Sequence, residues 1–113
     1  MSIQTEFISQ QFNLAFLSVE TAHEILFKDS NDFTNQTLAF ASIQRAIGYI
    51  SSIESICYAF PENLLTEEVE TLLLKFNLLF DEFINCYQKK HAHQKTDEFF
   101  RELRKTFKYS IFS

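Results

Sequence analysis

The chain has 113 residues, enough for one domain with one core. Hydrophobic residues make up 46%, which excludes a chain disordered by composition, and a single glycine (Gly48) and a single proline (Pro61) exclude the frequent turns an all-β domain needs. A net charge of −5 argues against nucleic acid as the main partner, because phosphate binding needs a basic surface.

The first predicted helix runs from about Ile3 to Lys28. Ile8, Phe12, Ala15, Val19, Ala22 and Leu26 alternate steps of four and three, the seam of an amphipathic helix. Asp29, Ser30, Asn31 and Asp32 then form a polar break. A second helix spans about Asn35 to Ala59, with Ala39, Ile43, Ala46, Ile50, Ile53, Cys57 and Phe60 in its stripe. Its small residues Ala39, Ala46 and Gly48 suggest close approach of a neighbouring helix, which would offset the cost of glycine in a helix interior. Pro61 stops it.

Thr66 caps a third helix, with Glu67 and Glu68 in the first turn where the helix dipole favours negative charge. Val69, Leu73, Phe76, Phe80, Phe83 and Tyr87 form its stripe. His91 to Lys95 reads as a connection, and a fourth helix starts at Thr96 or Asp97. It buries Phe100, Leu103 and Phe107, with Phe99 and Ile111 beside them. The expected fold is all-α: an antiparallel up-down bundle of about four helices in one domain, residues 1–113.

No constellation in the sequence carries a complete chemistry, and no catalytic residue, metal ligand or cofactor is expected. His91 and His93 are two apart and lack the further ligands of a zinc site. Glu20-Thr-Ala-His23 supplies one Glu-x-x-His where a di-iron bundle needs two, and His23 stands alone on its helix. Glu20 and Glu24 have no His or Arg partner within bridging distance along the sequence. Cys57 and Cys86 fall on apolar positions and read as reduced core thiols. With no apolar run long enough to span a bilayer and no basic segment before Glu6, the expected location is cytoplasmic, without a membrane partner.

The informative feature is an apolar surplus. At about 100° per residue, Leu74 and Leu78 lie roughly 140–180° from the stripe of their helix, among Glu70, Lys75, Asp81 and Asn85. Phe7, Leu14, Leu17 and Ile25 form a second line on the first helix, and fourteen phenylalanines reinforce the excess. Phe7, Leu14, Leu17, Leu74 and Leu78 are the candidate partner-binding residues. Three readings compete. A chaperone or adaptor would hold an apolar or helical segment of a partner protein. An acidic inhibitor or immunity-type protein would block a basic macromolecule, with salt-sensitive binding. A structural homodimer would bury the surplus against itself. Charge is uneven as well: residues 88–113 carry seven basic and three acidic residues, and the remainder carries three and twelve.

Ile43, Arg45, Ala46, Tyr49, Ile50 and Ile53 on the second helix, Lys75-Phe76 on the third, and Glu102-Leu103-Arg104 with Phe107 on the fourth resemble the flagellar secretion chaperones of the FliS type. The resemblance covers roughly residues 35–110. The family's N-terminal Tyr motif and its Gly-Gly-Glu-Ile before the third helix are absent. The resemblance implies an export chaperone of the bacterial flagellum that wraps the disordered C-terminal region of a flagellin-like client, by coupled folding and without chemistry.

Overall fold

A computed structural model describes residues 3–28, 33–89 and 94–113. The described residues form five helices and no strand: α1 (Ile3–Lys28), α2 (Phe33–Ala59), α3 (Pro61–Leu64), α4 (Glu67–Lys89) and α5 (Gln94–Lys108). The seams read from spacing become the core. Ile8, Phe12, Ala15, Val19, Ala22 and Leu26 of α1 are buried, as are Ala39, Ile43, Ala46, Ile50, Ile53 and Cys57 of α2. Val69, Leu73, Phe76, Phe80 and Phe83 of α4 and Phe100, Leu103 and Phe107 of α5 close it. One apolar cluster joins all five helices.

Neighbouring helices are antiparallel. On α2 and α4, Phe40 stacks on Tyr87 and Glu54 meets Asn77. On α4 and α5, Lys75 pairs with Glu102 and Cys86 with Thr96. On α1 and α5, Phe16 stacks on Phe107, Glu20 pairs with Arg104 and His23 with Asp97. In each pair a rising number faces a falling one, so α1 and α2 are antiparallel too. They pack closely, completing the ring α1–α2–α4–α5. α4 and α5 lie side by side as a hairpin, not as one rod. α1 and α4 face each other diagonally, with the Phe12 and Phe76 rings 6.0 Å apart across the core.

Thr66 caps α4 as expected: its Oγ1 accepts the Val69 amide at 3.2 Å. Three expectations fail. Phe60 does not join the α2 stripe: α2 stops before Pro61 as expected, at Ala59, and Phe60 is exposed. Pro61 then opens the one-turn α3, where its missing N–H costs nothing, and that turn buries Leu64. Ile111 does not join the core. The chain turns after Lys108, so Ile111 faces solvent and Phe112 fills the place instead, its ring 4.9 Å from Phe12. The tail is fastened by Asn13 Nδ2 donating to the Phe112 carbonyl at 2.9 Å and by the Ile111 amide donating to Glu68 Oε1 at 2.8 Å.

Gly48 is the third correction. It is exposed, and a Cβ added there meets nothing within 4 Å, so no neighbouring helix of this chain requires a glycine. Gly48→Ala is therefore expected to stabilise the fold by roughly 0.5–1 kcal/mol, by restricting the unfolded chain and favouring the helix. Thermal melting of the variant checks this, and the transition should rise by a few degrees.

Candidate functional site

Two kinds of surface feature stand outside the core, a polar cluster and two apolar patches. The cluster lies between α1 and α5. His23 Nε2 donates to Asp97 Oδ1 at 2.9 Å, and its Nδ1 faces Arg104 Nη2 at 3.4 Å. Arg104 Nε donates to Glu20 Oε1 at 3.0 Å, and Arg101 Nε to Asp97 Oδ2 at 2.9 Å. Since a guanidinium only donates, these partners assign the ring proton to Nε2. The imidazole is flanked by the Phe27 and Phe100 rings at 4.8 and 4.6 Å. Along the sequence His23 and Glu20 were without partners. Their partners lie 74 and 84 residues away, beyond the reach of any spacing rule.

Each group in this cluster is engaged by another member, which makes it a clasp fixing α1 to α5. The His23 hydrogen bond, then Arg101, holds the Asp97 carboxyl below the ordinary carboxylate range. A carboxyl depressed in the folded state contributes stability that is present above its unfolded value and lost as pH falls through the folded one. Asp97→Asn should therefore flatten the fall in stability on acidification below about pH 4. Urea melts at neutral and acidic pH, with and without the substitution, measure it.

The two thiols are quiet. Burial pushes both Cys57 and Cys86 above the ordinary thiol range, which disfavours the reactive thiolate. Both are free. Among the described residues no three His, Cys, Asp or Glu side chains gather as a metal cluster. His91 and His93 lie outside the described residues. No helix among the described residues is long and apolar enough to cross a membrane.

The five candidate partner-binding residues divide between the diagonal helices. On α1, Leu17 is 62% exposed, Phe7 is exposed and Leu14 is half-buried, while Ile25 packs against the core. On α4, Leu74 is 57% exposed and Leu78 40%. Because the core faces of α1 and α4 meet through Phe12 and Phe76, their outer faces look away from each other. Leu17, opposite the α1 stripe, and the Leu74–Leu78 pair of α4 thus make two patches on opposite sides of the bundle, while Phe7 and Leu14 lie on the α1 flank that Ile25 shares. The long axis measures 44 Å and the cross-section 22 × 19 Å, so one segment touching both patches would have to wrap round the molecule.

The α4 patch is the more developed. Beside Leu74 lies a groove of about 310 Å³, lined by Tyr58, Leu65, Glu70, Leu73, Leu74 and Asn77. The tip of α2 and the segment after α3 form one wall and α4 the other. Tyr58, 60% exposed, was missed in the sequence because it sits beside the α2 stripe, one turn after Glu54, and the antiparallel pairing of α2 with α4 brings it there. A second depression, between α1 and α5, is bounded by Phe16, Arg104, Phe107 and Lys108. There the two rings stack on each other at 4.4 Å and Arg104 belongs to the clasp. No family model, curated protein or solved structure matches this chain.

Proposed function

We propose that this chain is a non-enzymatic binding protein, an adaptor or chaperone that holds an apolar or helical segment of a partner protein. The observation that carries the reading is the α4 patch: Leu74 and Leu78 project from the helix side opposite its core stripe, next to a groove walled by Tyr58 and Leu65. Scattered exposed leucines need no explanation, but a leucine pair one turn apart beside an apolar groove matches the way an amphipathic helix is received.

The resemblance to flagellar export chaperones supplies a specific form of this reading, with a disordered flagellin-like client. Its support is modest in kind: Ile43, Ala46, Ile50, Ile53, Leu103 and Phe107 are all buried, so the matching positions are those any helix bundle fills with apolar residues. The test is the double variant Leu74→Asp with Leu78→Asp, titrated with fluorescent amphipathic peptides beside the parent chain. The reading requires affinity to fall by about tenfold or more while the far-ultraviolet circular dichroism stays helical. Equal binding by parent and variant would sink it.

A further inference from the structure

Charge on the α4 face says more about the occupant. The leucine pair is bracketed lengthwise by carboxylates: exposed Glu67 and Glu70 precede it, and exposed Asp81 follows it. Glu62 on α3 is exposed as well, and half-buried Glu54 of α2 adjoins the groove through its lining residue Asn77, from which Oε2 accepts. Among the described residues, no Lys, Arg or His lies within ion-pair distance of Glu62, Glu67, Glu70 or Asp81. The nearby cation of α4, Lys75, points to the other flank and pairs with Glu102 of α5. The patch is therefore an apolar centre inside an uncompensated negative frame.

Resting on the binding function above, we propose that the α4 groove takes a cationic amphipathic helix of a partner protein. Its apolar residues would sit over Leu74, Leu78 and Tyr58, and Lys or Arg one to two turns to either side would answer Glu67, Glu70 and Asp81. Charge complementarity selects the sign of the occupant. An acidic helix would set like charges against this frame, whereas a basic one gains attraction and faster encounter. Length follows from the frame: Glu67 to Asp81 is about 21 Å of helix at roughly 1.5 Å per residue, so the occupant is about four turns long.

The probes are three synthetic helical peptides of about fourteen residues, a length set by that frame. They share one leucine face and carry lysine, glutamine or glutamate on the flanks. They are titrated into the parent chain, into Glu70→Lys with Asp81→Lys, and into Leu74→Asp with Leu78→Asp, from about 50 to about 500 mM salt. The lysine peptide should bind tightest to the parent, weaken several-fold with salt, and lose on the order of tenfold in the charge-reversed variant, which should now prefer the glutamate peptide. Equal binding of all three peptides, still lost in the leucine variant, would overturn the charge assignment and leave the binding function standing. Binding insensitive to the leucine variant would overturn both. Concentration-dependent self-assembly in sedimentation, abolished by the charge reversal, would also overturn the proposal, because the occupant would then be the basic face of α5 (Arg101, Lys105, Lys108) from a second copy.

Discussion

Phe76→Ala is expected to destabilise the fold by about 3–5 kcal/mol, the cost of removing a large buried aromatic and leaving space behind. Phe76 is wholly buried on α4, with its ring 6.0 Å from those of both Phe12 and Phe80. It thus links the two diagonal helices, which the ring of neighbouring pairs does not otherwise bring together. A domain of this size is typically stable by about 5–15 kcal/mol, so the loss takes a large fraction of the total. Urea unfolding should show a lower midpoint with a similar slope. Phe12→Ala should weaken the same contact, and the two changes together should cost less than their sum, because each removes the other's partner.

Leu74→Asp with Leu78→Asp should behave in the opposite way, folding nearly unperturbed and failing to bind. Position decides this. Leu73, one residue earlier, is 4% exposed, and an aspartate there would place an unpaired charge in the core, a cost of several kcal/mol that this domain could scarcely absorb. Leu74 is turned about 100° away and is mostly in solvent, so its replacement moves little apolar surface from the core into water. The stability change should stay within about 1 kcal/mol. The binding change should be larger. Covering a leucine fully is worth roughly 1.5–3 kcal/mol, so losing two partly covered leucines is expected to cost tenfold or more in affinity. The penalty of seating a carboxylate against an apolar partner adds to this.

The sequence made the core legible because helical periodicity is local. Every residue of the α1 stripe, from Ile8 to Leu26, is buried, and α1 spans the expected residues. The surplus on α4 was legible for the same reason: a leucine on the wrong side of a stripe is visible in spacing alone. The features that were missed all depend on where the chain goes next. The clasp of Glu20, His23, Asp97 and Arg104 needs α5 to return beside α1. Phe112 enters the core only because the chain turns after Lys108, and Tyr58 reaches α4 because α2 packs antiparallel against it. Gly48 misled because its small size suggested a close neighbour, and among the described residues a Cβ at that position meets nothing within 4 Å. Spacing also could not say that Leu17 looks away from Leu74 and Leu78. That separation follows from the diagonal placement of α1 and α4.

The exposed leucine pair of α4 is proposed as a partner surface and not as part of the core. Its most direct test measures two quantities on one sample of the Leu74→Asp, Leu78→Asp double variant: the urea midpoint, and the affinity for the lysine-flanked leucine peptide. The expected result is a midpoint close to that of the parent chain and an affinity lower by tenfold or more. A collapse of the midpoint would place the two leucines in the core, and an unchanged affinity would place the binding surface elsewhere. Either result would overturn the assignment of Leu74 and Leu78 to a partner surface.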